Sequence, residues 1–373
     1  LVLILWLVLG AVYFVLYARR GGESVRRQEL VVGEPTPDRP GDQPDYSVLV
    51  GIANPKTAPA LLRAGVRLAQ ARNGGLMALK VLCLEDQIPS HLKRQAAQEE
   101  WESLAALVEG VETDDVSVQP LVGLAPDPTS GILEAVRQEA VDLLLLGWSG
   151  ERPPEEPDRG PDFDRVIKRA ECDVAVLHGR LPERIEQVLV PSAGGPHAPL
   201  ALALGEDLVD PDEGQILVTH MVEKQLTPER EDQAKADLQT TLEAARNGHD
   251  IRSSVLEVSS VKDGILSESQ GCDLILMGAS KERFLEQTFF GGLPVEAASA
   301  TRKPTILTRV RETGRRYWLA RAYETITDPL PTLTVADQVE VYRRMYDLAQ
   351  PSVDFFVLIT LAAAIATLGL LQD

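Results

Sequence analysis

Asp142-Leu-Leu-Leu-Leu-Gly147 and Asp273-Leu-Ile-Leu-Met-Gly278 are the two stretches that decide the fold. Each is an unbroken apolar run opened by an acid and closed by a glycine. A strand with one wet face alternates apolar and polar residues, so a continuous run reads as a strand covered on both faces, the environment of a parallel sheet between two helix layers. The neighbours of the two runs match as well. Gly131-Ile132-Leu133 precedes the first and Gly264-Ile265-Leu266 the second; further back, Val48-Leu49-Val50 corresponds to Val188-Leu189-Val190 and Ala58-Pro59 to Ala198-Pro199. The same order recurring roughly 130 to 140 residues later predicts an internal duplication.

Working outward, strands are expected at Val48–Ile52, Leu76–Leu84, Val116–Gln119, Leu143–Leu146 and Val174–Leu177, and again at Val188–Val190, Ile216–Met221, Ser254–Val258, Leu274–Met277 and Thr305–Leu307. Helical patterns lie between them at Thr57–Gln70, Leu92–Val108 and Ile132–Ala140. A long helix in the second unit is predicted to begin with Thr227 as N-cap and Pro228 in the first turn, and to close at Gly248. The fold class is α/β, with two repeated five-stranded parallel-sheet, Rossmann-like units.

Both ends of the chain are apolar. Leu1–Tyr17 and Phe355–Leu371 carry no charge, and each is close to the minimum length for crossing a bilayer as a helix. Arg19 and Arg20 follow the first run, and Arg343 and Arg344 precede the second. Basic flanks stay on the cytoplasmic side, which places the repeat region in the cytoplasm of a multi-pass membrane protein. The expected division is a transmembrane helix over 1–17, a linker over 18–45, repeat units over 46–180 and 185–310, a juxtamembrane segment with an amphipathic helix over 311–353, and the start of a second membrane domain over 354–373. Within the juxtamembrane segment, Val335, Val339, Tyr342 and Tyr346 recur at helical spacing.

The balance of 37 basic against 56 acidic residues gives a net charge of −19, a field that repels nucleic acid. Cys83, Cys172 and Cys272 are far apart, and neither they nor the five histidines cluster as metal ligands would. Three separated thiols suit a reducing compartment. Ser192 and His197 are neighbours in sequence alone, and Asp127, Asp142 and Asp273 read as turn and helix-end residues, so no catalytic group is predicted.

Residues 46 to 308 resemble a tandem pair of universal stress protein domains, most closely in the fourth strand, its glycine, the following loop and helix, and the last strand. The resemblance implies a sensing or regulatory role and intramolecular pairing of the two units. The run WLVLGAVYFVLYARRG resembles the last transmembrane helix of amino acid permeases, some of which carry tandem stress-protein domains, and the tail from Val341 resembles the start of an uncharacterised bacterial hydrophobic membrane domain. Attached membrane domains are therefore the expected partners.

Nucleotide-binding members of that family carry Gly-x-x-Gly, nine residues and Gly-Ser/Thr after the fourth strand. Glycines there let the backbone approach phosphate, and N–H groups at the next helix hold the anion. Gly147, Gly150 and Gly160 keep the spacing, but Pro161 replaces the hydroxyl residue and the loop between is acidic. The second unit has Gly278, Lys281, Gly291 and Gly292, with Lys281 able to pair with phosphate. The family's Asp after the first strand is missing from both Ala53-Asn54-Pro55 and Ser192-Ala193-Gly194-Gly195, although Gly194 and Gly195 allow a close backbone approach. These departures weigh against ATP or another adenine nucleotide, and the second unit keeps the better case. A scaffold with decayed sites is the alternative; a nucleotide hydrolase comes last.

Overall fold

The computed structural model describes residues 30–32, 46–83, 90–111, 116–148, 163–223, 227–246, 248–279 and 292–311. Among these residues eleven strands form one sheet: β1 Leu30–Val32, β2 Ser47–Gly51, β3 Gly75–Cys83, β4 Val118–Ala125, β5 Leu143–Trp148, β6 Asp173–His178, β7 Gln187–Pro191, β8 Gln215–Glu223, β9 Asp250–Val258, β10 Leu274–Gly278 and β11 Thr305–Arg309. Their order across the sheet is β1-β4-β3-β2-β5-β6-β11-β10-β7-β8-β9. All neighbours run parallel except β1 against β4 and β6 against β11. The five strands β2 to β6 and the five strands β7 to β11 thus follow the same order on either side of an antiparallel junction in mid-sheet.

Among the described residues eight α-helices cover the sheet: α1 Ala58–Gln70, α2 Ser90–Glu109, α3 Pro128–Gln138, α4 Phe163–Arg169, α5 Ala198–Leu208, α6 Pro228–Leu242, α7 Val261–Glu268 and α8 Gly292–Ala300. On one face Leu62, Leu104, Leu202 and Leu238 from α1, α2, α5 and α6 pack on Val48, Leu145, Val188 and Leu276. On the other, Ile132, Ile167, Ile265 and Ala297 from α3, α4, α7 and α8 pack on Leu49, Leu144, Leu189 and Ile275. Leu143–Leu146 is buried at every position, as an apolar run clad on both faces must be. The repeated Gly-Ile-Leu has a steric cause. A Cβ on Gly131 would lie 2.5 Å from Val81 Cγ1 and one on Gly264 2.7 Å from Val258 Cγ1, so α3 and α7 lie too close to the sheet for any larger residue.

The acids that open the decisive runs bind the neighbouring strand. Asp142 Oδ2 accepts the Ser47 N–H at 2.9 Å, and Asp273 Oδ2 accepts those of Glu186 and Gln187, both at 3.0 Å. Each carboxylate thus satisfies backbone donors where β2 or β7 enters the sheet.

The linker and the end of the long helix depart from the sequence reading. Within the span read as linker, Leu30–Val32 pairs with Leu121–Gly123 as an edge strand. The long helix ends at Leu242 rather than Gly248, because the Arg246 N–H turns to the buried Glu206 carboxylate, 2.9 Å from Oε1. The Thr227 hydroxyl makes no capping bond to that helix's backbone. No helix among the described residues is long and apolar enough to cross a membrane. Both apolar ends and the amphipathic stripe at Val335–Tyr346 lie outside the described residues.

The two halves also meet through α1 and α5. Arg67 Nη2 donates to the Leu208 carbonyl at 2.8 Å and Nη1 to that of Pro182 at 3.2 Å. Arg72 pairs with Asp207 at 2.8 Å while lying over the Tyr46 ring, and Arg246 holds the same Asp207 at 2.7 Å.

Candidate functional site

In parallel sheets the loops after the strands gather at the carboxyl edge, and ligands bind where the strand order reverses. In the first half that point lies between β2 and β5, and a cavity of about 870 Å³ opens there. Its wall takes Gly51–Asn54 from the end of β2, the first turns of α1, Lys80 and Cys83 from β3, Gly147 and Trp148 from β5, and Gly179 and Arg180 from the chain after β6. Among the described residues the charged side chains of this lining are Lys56, Arg63, Lys80 and Arg180, all cations, in a protein of net charge −19. Lys80 Nζ is held 3.2 Å from Glu100 of α2. The Trp148 ring lies 5.0 Å from that of His178, whose Nδ1 is 3.1 Å from the Trp148 carbonyl. Asn54, in the stretch after β2, accepts the Lys56 N–H on its Oδ1 at 2.9 Å and so closes its own turn. Burial, followed by the charge of Asp127, pushes the Cys83 thiol upward, so Cys83 is no thiolate nucleophile.

The strand registers give every position of this site a counterpart in the second half. Val48 pairs with Leu76 as Val188 does with Ile216, and Gly147 with Leu177 as Gly278 does with Thr308. Ser192–His197 therefore takes the place of Ile52–Thr57. There the chain is drawn in. A Cβ on Gly278 would lie 2.8 Å from the His197 carbonyl carbon, whereas one on Gly147 would meet nothing nearer than a Leu61 methyl at 3.5 Å. Gly194 takes a φ of +66° against Asp237, a conformation and a gap that suit glycine alone. Burial, helped by the charge of Arg309, lowers the His197 pKa to about 4, so the ring is neutral and its Nδ1 accepts the Val310 N–H at 3.2 Å.

Of the glycines singled out by sequence, Gly147 lines the cavity; Gly194, Gly195 and Gly278 surround the inward-turned His197 loop; and Gly292 is the first residue of α8. Gly150, Gly160, Lys281 and Gly291 lie outside the described residues. Sequence reasoning favoured the second unit on Lys281 and Gly291, which lie outside the described residues; the cationic cavity that is described lies in the first. It also missed Lys56, Arg63, Lys80, Arg180 and Trp148. The one usable signal was Lys80, the only charge in the otherwise apolar Gly75–Cys83. Ser192 and His197 do not pair: the serine hydroxyl is 2.6 Å from Thr241 Oγ1. Asp127 caps α3, its Oδ1 accepting the Ser130 N–H at 2.9 Å. Among the described residues no group of His, Cys, Asp and Glu could hold a metal ion.

Comparison with known proteins gives this geometry a class. Residues 47–178, about a third of the chain, match the model of the Universal stress protein family. No curated protein matches. Among solved structures, the chain is similar to a universal stress protein from Archaeoglobus fulgidus DSM 4304, with a TM-score of 0.53 and 16% identity over 71% of this chain and 97% of that one. At that identity the likeness is one of fold. Two further similar structures are the cytoplasmic domain of a prokaryotic cation chloride cotransporter (TM-score 0.48, 12% identity, 74% of this chain and 99% of that one) and a universal stress protein in complex with cAMP (TM-score 0.28, 19% identity, 35% and 95%).

Proposed function

We propose that residues 46 to 308 are two stress-protein units forming the cytoplasmic regulatory module of a membrane transporter, and that the module senses an adenine nucleotide. The observation that carries this reading is the cavity at the carboxyl edge of β2 and β5, large enough for a nucleotide, with four cations and Trp148 in its wall. Cations supply what phosphate needs, and an indole beside them offers a face for a purine. The wall is made of α1, the start of α3, the ends of β2, β3, β5 and β6, and the chain leading to β7, so a ligand there touches the segment that connects the two halves. The identical strand order in β2–β6 and β7–β11 supports the duplicated unit. The attachment to membrane segments rests on the uncharged runs Leu1–Tyr17 and Phe355–Leu371 with their arginine flanks.

Binding without turnover is the reading we adopt: among the described residues of the cavity wall no nucleophile and base are paired. The second reading, a scaffold with a decayed site, is favoured by Asn54, whose side chain is used in its own turn instead of reaching a nucleoside. Isothermal titration of the chain with ATP and AMP separates the two. Saturable binding that weakens at least about tenfold in Lys80→Met, with ATP recovered intact, supports the sensor. No heat at millimolar nucleotide leaves the scaffold, and release of product establishes an enzyme instead.

A further inference from the structure

The two halves share a strand order, but their corresponding loops differ in a way that decides where an anion can sit. In the second half four contacts staple the loop between β7 and α5. Ser192 Oγ is buried 2.6 Å from Thr241 Oγ1 and accepts the Gly194 N–H at 3.2 Å, fixing the loop's base. The Thr308 hydroxyl donates to the His197 carbonyl at 3.3 Å. The Val310 N–H donates to His197 Nδ1 at 3.2 Å. Asp237 fills the remaining space, with its Cβ 2.6 Å from where a Gly194 Cβ would stand.

None of these staples can form in the first half. By register Ile52 replaces Ser192, Leu177 replaces Thr308, Thr57 replaces His197 and Gly179 replaces Val310. Two hydroxyls and the imidazole acceptor are thus gone from the positions where they would be needed. The charges change in the opposite sense. Lys56, Arg63 and Lys80 of the open cavity correspond to Pro196, Ala203 and His220, and Arg180 alone keeps a cation at its counterpart, Arg311. Burial lowers the His220 pKa, against the pull of Asp237, so this residue does not restore the lost charge near neutral pH.

We propose that the second half is a shut copy of the first: Ser192, His197, Thr308 and Asp237 hold its loop closed, and the chain takes one anionic ligand, at the first-half cavity. The single-ligand part rests on the nucleotide reading above; the shut loop does not.

The test uses the whole chain and two measurements. Without ligand, amide hydrogen exchange is followed at residues 54–58 and 193–198. The stapled loop is expected to exchange at least about tenfold more slowly, and His197→Thr with Thr308→Leu to remove the difference. With a photoreactive azido-adenine nucleotide, adducts are expected only in peptides spanning 51–63, 80–83 and 147–180. Equal exchange in the two wild-type loops overturns the proposal, as does an adduct within 192–198. If no adduct forms anywhere, the nucleotide reading falls, and the exchange rates alone then decide whether the loop is shut.

Discussion

At the scale of single residues, His197 links the closed loop to acidity. Its neutral ring accepts from Val310, while Thr308 donates to its carbonyl. A folded pKa near 4 lies below the ordinary value of 6.5, so the unfolded chain binds the extra proton first. The stabilisation is therefore complete above about pH 6.5 and is lost progressively as pH falls towards 4. Urea midpoints measured from pH 7 to 4 are expected to fall more steeply in the wild type than in His197→Gln; superimposable profiles would remove the imidazole from the latch. Little of this was legible in the sequence. Ser192 and His197 come from one loop, Thr241 from α6 and Thr308 from β11, and no spacing announces their meeting. The cavity's cations were hidden for the same reason. Lys56, Arg63, Lys80 and Arg180 are scattered along the chain and converge only when three parallel strands end at one edge. Glycine spacing pointed to that edge, since Gly147 lies one residue before the end of β5, but it could not say which half kept room for a ligand.

At the scale of elements, the apolar strands were read closely because burial on both faces leaves an unmistakable run. Val188–Val190 grew by one residue at each end, to Gln187–Pro191. Polar strands were read short. β9 begins at Asp250 rather than Ser254, its early residues being exposed or half-buried. β4 runs on through Pro120, which reads as a breaker. Pro120 lies next to the sheet edge, where among the described residues β1 pairs with Leu121–Gly123, a place where a missing N–H is tolerated. The contact between α1 and α5 was invisible in one dimension, yet its energetics are now specific. The Asp207 side chain is 2% exposed and is shared by Arg72 and Arg246, so it sits in a low-dielectric position with both partners at hydrogen-bond distance. Arg72→Met leaves Arg246 to neutralise it and is expected to cost about 1–2 kcal/mol. Asp207→Ala deprives two guanidinium groups at once and is expected to cost about 2–3 kcal/mol. Chemical denaturation gives both numbers, and a smaller loss for Asp207→Ala than for Arg72→Met would contradict the shared geometry.

At the scale of the whole molecule, the residues from 46 to 311 behave as one sheet because β6 and β11 pair antiparallel over five positions, from Thr305 with His178 to Arg309 with Val174. Arg309, 1% exposed, donates from Nη1 to the Ala170 carbonyl at 3.0 Å and so ties β11 to the end of α4 across that junction. A strand edge carrying Val174–Leu177 would otherwise template pairing with any similar edge. Charge decides which edge it prefers. On α1, Arg67 holds the position that Asp207 holds on α5, so a homodimer of first halves would set Arg72 beside a second arginine, whereas the native pair sets it on Asp207. Two separately produced pieces, residues 30–186 and 187–311, should therefore prefer each other. Sedimentation velocity is expected to show the first piece alone self-associating at micromolar concentration and the equimolar mixture moving to a single heterodimer. In Asp207→Arg of the second piece that preference should disappear. A first piece that stays monomeric, or a mixture in which each piece ignores the other, would show that the mid-sheet junction does not hold the halves together.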